Sequence, residues 1–371
     1  MNTFQIRPQI SLFDKAIDFT NAFPITKKDL IFTSRSVYQN HFSGKFKNAT
    51  VIFHTDYGAG EPSNNLVNAI FSDVCLEDFD RIIAIGGGTI LDVAKLLTLK
   101  QLMPVEDLFD KKIPAQKSRE LILVPTTCGT GSEVTNVSIL EFVERRSKFG
   151  LAVDALYADH AVLIPELIEK LPFSVFATSS IDAFVHAIES YVSPKATLFS
   201  EQYSRMAMQL IIEGYQTILR QGKGVLPSLC KDFLIASCYG GIAFGNAGTG
   251  PVHAMSYPLS GSYHVPHGES NYVFFATVFQ RYLELAPYGK LQDLNIFLGK
   301  LLDSKPSEVY HSLETLFNQI ISKKRLSEYG VQAGELPDFA RNVTEKQQRL
   351  MNNTYAPLSY EVILEMFQSL L

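Results

Sequence analysis

"RIIAIGGGTILDVAK", residues 81–95, runs an aliphatic segment, three consecutive glycines and an amphipathic segment together without a break. Ile82 to Ile85 carry no polar alternation, which marks a strand buried on both faces. Gly86, Gly87 and Gly88 end it. Lacking Cβ atoms, they admit a bulky anion close to the backbone and take up positive φ angles readily. Thr89 and Asp92 stand three apart, as in a capping box, so a helix is expected to start there. Its first turn offers unpaired N–H groups and the positive end of the helix dipole to an anion. A tight strand-to-helix turn without a ligand satisfies the same pattern. The spacing is not GxGxxG, so an ordinary Rossmann dehydrogenase is not indicated.

The same rhythm extends through the first half of the chain. Candidate strands are "DLIFTS" (29–34), "ATVIFH" (49–54) and "ELILVP" (120–125), with amphipathic stretches at 63–74 and 89–100. Such alternation predicts a mostly parallel sheet covered by helices on both faces. A second loop, "VPTTCGTGSEVTN" (124–136), supplies hydroxyls from Thr126, Thr127, Thr130 and Ser132. Both loops follow strands and so belong to the carboxyl edge of one sheet, where open α/β folds bind ligands. Together they favour a dinucleotide over simple turn chemistry.

Past Leu171-Pro172 the strand signals fade, and helical periodicity takes over at 182–192, 200–219, 231–244 and in the final "SYEVILEMFQSLL". The expected organisation is α/β plus all-α. Residues 1–172 form a Rossmann-like dinucleotide-binding domain, and 173–371 a helical metal-binding and substrate domain. The 371 residues are too many for one ordinary core, and 46% hydrophobic with 19% charged residues is the balance of a packed globular chain. A net charge of -5 gives no reason to expect nucleic acid or an anionic membrane surface. No apolar run approaches the ~18 residues of a membrane span, and the N-terminus lacks a secretory pattern. Cys75, Cys128, Cys230 and Cys238 show no CxxC pair and read as reduced thiols in a cytoplasm.

Three of the eight histidines crowd into "GPVHAMSYPLSGSYHVPHGESN": His253, His264 and His267. Asp182 and His186, four apart on a predicted helix, share one face. Alone, that pair reads as well as a carboxylate orienting a histidine. Set beside His253 and His267, it completes an oxygen-and-nitrogen ligand set suited to a first-row divalent ion, Fe(II) or Zn(II) alike.

"AIGGGTILDVAK", "PTTCGTGSEVTN", "DAFVHAIESYVS" and "GIAFGNAGTGPVHAMSYPL…VPHGESN" together resemble the iron-containing (group III) alcohol dehydrogenase family, in order along roughly residues 29–275. The resemblance implies a dehydroquinate synthase-like fold with the active site in the cleft between its domains. It implies Asp182, His186, His253 and His267 as metal ligands. Gly86, Gly87 and Gly88, with Thr89 and Asp92, would meet the pyrophosphate, and Thr126, Thr127 and Thr130 the phosphates and nicotinamide side. Lys148 falls where the family places a cofactor-contacting lysine.

Two positions depart from the family pattern. Tyr257 stands where most members have a histidine near the reacting centre, and His264 replaces a nearby Asn or Asp. His264 is therefore the catalytic candidate for relaying the proton or meeting the substrate's carboxylate, with Tyr257 as a helper or as packing of the cleft wall. Ser34 stands where an aspartate often reads the adenosine ribose. With Arg35 beside it, Ser34 removes that repulsion of NADP, so NAD is expected from the resemblance alone. The "SYPLSGSYHVPHGESNY" segment and "GAGEPS" (58–63) look most like family members acting on 4-hydroxybutanoate. Interconversion with succinate semialdehyde, using NAD and Fe(II), is thus the expected reaction.

Alternatives are another short-chain alcohol such as 1,3-propanediol, butanol or lactaldehyde, or a metal- and NAD-using lyase of the 3-dehydroquinate synthase type. The lyase would want basic residues for a phosphorylated substrate, and the histidine segment has none. A nicotinamide-free metallohydrolase leaves the two glycine-threonine loops unexplained, and a binding module leaves the ligand set so. A homo-oligomer, such as a dimer, is the expected assembly of a cytoplasmic enzyme.

Overall fold

The computed structural model describes residues 3–58, 60, 62–75, 79–145 and 147–371. Ala59 and Glu61 of the "GAGEPS" stretch lie outside the described residues. The chain divides into two compact units, Ile6–Leu171 and Pro172–Leu371, the N-terminal residues up to Gln5 belonging with the second. No described helix is long and apolar enough to cross a membrane.

The first unit is built on six strands, β1 (Gln9–Leu12), β2 (Asp29–Thr33), β3 (Thr50–Phe53), β4 (Arg81–Gly86), β5 (Glu120–Pro125) and β8 (His160–Leu163). All pair in parallel, in the order β1-β8-β5-β4-β2-β3. Successive residues point to opposite faces. Leu30, Phe32, Ile82, Ala84, Leu121 and Leu123 therefore enter one core, while Ile31, Ile83, Ile85, Ile122 and Val124 enter the other. Both faces are dry, which is why these strands read as continuous apolar runs. Burying each such side chain contributes about 1.5–3 kcal/mol. A separate antiparallel hairpin pairs β6 (Val137–Phe142) with β7 (Ser147–Ala152). The sequence predicts β2, β3, β4 and β5 but not β1, β8 or the hairpin.

Helix α1 (Asn64–Val74) is capped by Ser63, whose Oγ accepts from Leu66 N. Helix α2 (Gly88–Leu97) follows the glycine turn and buries Ile90, Leu91, Val93, Ala94, Leu96 and Leu97. The expected capping box is absent. Gly87 is the N-cap and has no side chain to offer, and the helix begins at Gly88, so Thr89 and Asp92 lie inside it rather than at its boundary.

The second unit is helical. Its main elements are α3 (Phe173–Val192), α4 (Leu198–Gln221), α5 (Leu226–Ala247), α6 (Pro251–Tyr263) and α7 (His267–Leu285), with a single helical turn, α8 (Gln348–Met351), near the C-terminus. Helix α3 starts nine residues before the predicted 182, since its Ser- and Thr-bearing opening, "FSVFATSS", hides the helical period. From Ser180 to Val192 every residue of α3 is buried, so it is the central helix, packed by α4, α5 and α7. Two close approaches require glycine. A Cβ on Gly240 of α5 would stand 3.1 Å from the Ala183 carbonyl oxygen, and one on Gly268 of α7 would run into that of Thr178.

Candidate metal centre and cofactor edge

On α3, Asp182 and His186 project from one face at i and i+4. His253 sits in the first turn of α6, and His267 opens α7. Asp182 Oδ1 lies 4.0 Å from His186 Nε2, 3.9 Å from His253 Nε2 and 3.7 Å from His267 Nε2. All four donor atoms fall within 4.8 Å of one another. Ligands about 2.1 Å from a tetrahedral ion stand ~3.4 Å apart, so a slight contraction closes this set on a first-row cation. Asp182, His186 and His253 are buried, while the His267 side chain is 29% exposed. Approach to the centre is therefore from the His267 side.

The protonation states suit metal binding. Burial alone would raise the Asp182 carboxyl, but His186, His267 and His253 around it hold it below its usual value. Burial, reinforced by His186 and His267, keeps His253 well below the ordinary imidazole value and so neutral. An ionised carboxylate and neutral imidazoles are the ligating forms. Glu189, missed in the sequence, completes the arrangement. Its carboxylate meets His253 Nδ1 at 2.6 Å and accepts from Gly250 N at 2.9 Å and Val252 N at 2.6 Å. One side chain thus caps α6 and turns His253 Nε2 inward. Burial pushes Glu189 up to about 7, against the pull of those backbone donors. Its signal was present: Asp182, His186 and Glu189 fall at i, i+4 and i+7 of one helix face.

Asn271, one turn after His267, also escaped notice. Its Nδ2 donates to Asp182 Oδ1 at 2.8 Å and lies 3.3 Å from both His253 Nε2 and His267 Nε2. A donor thus stands among the ligand atoms, while the buried Asn271 Oδ1 has no partner among the described residues. Tyr257, one turn beyond His253, has its ring 6.1 Å from that of His267. His264 is exposed and closes α6 in the left-handed region at φ 52.

In the first unit, the expected cofactor residues gather at the carboxyl ends of β2, β4 and β5. Ser34 follows β2 and caps the short helix after it, its Oγ accepting from Val37 N at 3.2 Å. Gly86, Gly87 and Gly88 follow β4, and Thr126 N donates to Gly86 O at 3.0 Å, joining the two loops. The glycines are needed for close approach, not for positive φ: none of the three lies in that region. A Cβ on Gly86 would collide with Ile90, and one on Gly88 would lie 2.7 Å from Thr130 Cγ2. Thr89 opens α2, while Thr127 packs beside Gly87.

Asp92 accepts from Ser132 Oγ and from Ile139 N at 3.1 Å. Lys95, fully buried, donates to Ser132 Oγ at 2.7 Å, Thr135 Oγ1 at 3.2 Å and Val137 O at 2.7 Å. Asp92 and Ser132 thereby clamp the threonine loop to α2. Lys148 lies in β7 opposite Glu141 of β6. Beside Ser34, Arg35 pairs bidentately with Asp56, Nε donating to Oδ1 at 3.2 Å and Nη2 to Oδ2 at 2.7 Å, and stacks 4.4 Å over the Phe53 ring. An acid therefore stands at this edge, brought by β3 rather than β2.

Residues 12–165 match the iron-containing alcohol dehydrogenase family and residues 176–371 the family's C-terminal part. The chain belongs to this family. Among its relatives, a 4-hydroxybutyrate dehydrogenase of Clostridium kluyveri is 46% identical over 371 residues, covering 100% of both chains. An alcohol dehydrogenase from Oenococcus oeni shares the fold with a TM-score of 0.87 at 21% identity, covering 100% of each chain. A sulfoacetaldehyde reductase from Bifidobacterium kashiwanohense, solved in complex with NAD+, does so with 0.86 at 20% identity, covering 100% of this chain and 98% of that one.

Proposed function

We propose that this iron-containing alcohol dehydrogenase interconverts 4-hydroxybutanoate and succinate semialdehyde with NAD(H). The observation that carries the substrate is the end-to-end 46% identity to the Clostridium kluyveri enzyme. Asp182, His186, His253 and His267 would hold the divalent ion. The bound ion supplies Lewis acidity to the substrate oxygen, and the nicotinamide takes or returns the hydride.

The chain's own residues position and protect these groups. Glu189 fixes the His253 ring, and the half-open His267 side leaves room for a small substrate. Tyr257, whose ring lies 6.1 Å from that of His267, would supply a hydroxyl to help at the reacting oxygen. His264, at the exposed end of α6, is the imidazole in reach of solvent and the candidate for exchanging a proton with it. In the first unit, the backbone of Gly86, Gly87, Gly88 and Thr89 receives the pyrophosphate. Thr126, Thr127 and Thr130 line its nicotinamide side, with Lys148 as a further contact. Asp92 and Ser132 hold that loop in place. Ser34, with Asp56 nearby, meets the adenosine ribose. We further read the enzyme as cytoplasmic, with its four cysteines reduced, and as a dimer.

The test is NADH oxidation by protein reloaded anaerobically with Fe(II) or Zn(II), with succinate semialdehyde, butyraldehyde and propionaldehyde in parallel. Strong preference for succinate semialdehyde, abolished by chelator, supports the reading. Equal or better rates with the uncharged aldehydes would keep the family and remove the substrate.

A further inference from the structure

The helix that carries His267 also turns a neutral side chain into the ligand set. Gly268 and Asn271 stand three apart on α7 and share one face. Gly268 brings that face onto α3: a Cβ there would lie 3.1 Å from Asp182 Cβ. Asn271, one turn after His267, is fully buried. Its Nδ2 reaches Asp182 Oδ1 at 2.8 Å, with His253 Nε2 and His267 Nε2 each at 3.3 Å. The amide thus faces three of the four donor atoms. Charge fixes its orientation, since turning it over would set its oxygen against the Asp182 carboxylate, acceptor against acceptor.

An asparagine here is costly to the fold. Oδ1 is buried without a partner among the described residues, and an unpaired buried polar atom calls for a functional reason. A leucine, with the same branching, would occupy the position without that cost. What the amide gives in return is a bond to the one anionic ligand. Imidazole nitrogens that hold an ion have no lone pair left for Nδ2, so the bond to Asp182 is the one compatible with a bound metal. A lysine or arginine could make the same bond, but its charge would oppose the ion.

We infer that Asn271 is a positioning residue of the metal centre: through Nδ2 it fixes Asp182 Oδ1 as the oxygen turned to the histidines, at the expense of its own unpartnered oxygen. A neutral donor does this without cancelling the carboxylate's charge. The inference rests on the reading that Asp182, His186, His253 and His267 hold the ion.

The experiment measures the affinity of metal-stripped protein for Zn(II), by competition with a chelating dye, in the unaltered chain and in Asn271→Leu. The melting temperatures of the metal-free forms are recorded alongside. Orienting partners of metal ligands are worth roughly 10–100-fold in affinity, so Asn271→Leu should bind Zn(II) about tenfold or more weakly. Its metal-free melting temperature should stay within a few degrees, because losing a bond to a carboxylate and shedding an unpartnered oxygen offset one another. A merely structural asparagine would move the melting temperature and leave the affinity alone. Asn271→Ala reads the same affinity if the leucine variant does not fold. Affinity within about twofold of the unaltered protein, or a loss matched by a fall in metal-free stability, overturns the role. Asp182→Ala separates this inference from the reading beneath it. If that variant still binds Zn(II) as tightly as the unaltered protein, the ion lies elsewhere and both fall. If it loses the ion while Asn271→Leu keeps it, Asn271 alone falls.

Discussion

Glu189 accepts from two backbone N–H groups while facing His253 Nδ1, so its removal uncaps α6 and unlocks a ligand together. Partners of metal-binding histidines are typically worth 10–100-fold in metal affinity. Glu189→Gln is therefore expected to weaken the ion by about that factor, read by competition against a chelating dye, with the fold retained. Unchanged affinity would mean that His253 needs no orienting partner. At the proposed ribose edge of the first unit, Asp56 holds the Arg35 guanidinium. Asp56→Asn frees that cation for a 2′-phosphate, so kcat/KM for NADPH relative to NADH should rise on the order of tenfold; an unmoved ratio would place cofactor choice elsewhere. For proton transfer, Tyr257→Phe should lower turnover more than His264→Ala, since Tyr257 adjoins His267 and His264 lies at the exposed helix end. The reverse order would return the role to His264.

Among the elements, the loop after β5 carries the clearest pH dependence. Glu133 is 1% exposed, and neither carboxylate oxygen has a partner among the described residues. Burial pushes it up to about 7 from 4.5, only partly offset by its own backbone N–H and by Lys95. The folded state thus holds this proton more tightly than the unfolded chain. The associated stability is complete below about 4.5 and is lost as pH rises through about 7. Glu133→Gln lacks this loss and should melt higher than the unaltered protein at pH 8 by up to ~3 kcal/mol of stability, with little difference near pH 5. Equal effects at both pH values would show that the carboxyl finds a partner in solution.

This element scale is also where the sequence was most and least readable. Strands β2, β4 and β5 announce themselves because both faces are buried. Strand β1 does not, since Ile10 and Leu12 remain 39% and 41% exposed at the sheet's edge. The β6–β7 hairpin buries Ser138 along with Leu140 and Phe142, so its inward face is not uniformly apolar. The Thr89–Asp92 spacing misled for a related reason. The helix already begins at Gly88, and Asp92, inside it, bonds to Ser132 and Ile139, partners that no short window contains.

Across the whole molecule, all four predicted ligands meet in one cluster although 85 positions separate Asp182 from His267 in the sequence. They were legible because ligand chemistry restricts residue types so strongly. Gly268 was not, because its reason is the Thr178 carbonyl on another helix. Nor was the pairing of Gln5 with Asn246, whose amide donates to Gln5 O at 3.0 Å and accepts from Gln5 N at 2.8 Å, which joins the N-terminal segment to the helical unit. Asp182, His186, His253 and His267 lie together as one ligand set, and turnover is expected to depend on the ion they would hold. The most direct measurement titrates metal-free protein with Fe(II) under anaerobic conditions, following bound metal and NADH oxidation together. One ion per chain is expected, with turnover proportional to occupancy and no ion retained by Asp182→Ala. Full turnover in metal-free protein, or undiminished binding by Asp182→Ala, would contradict it.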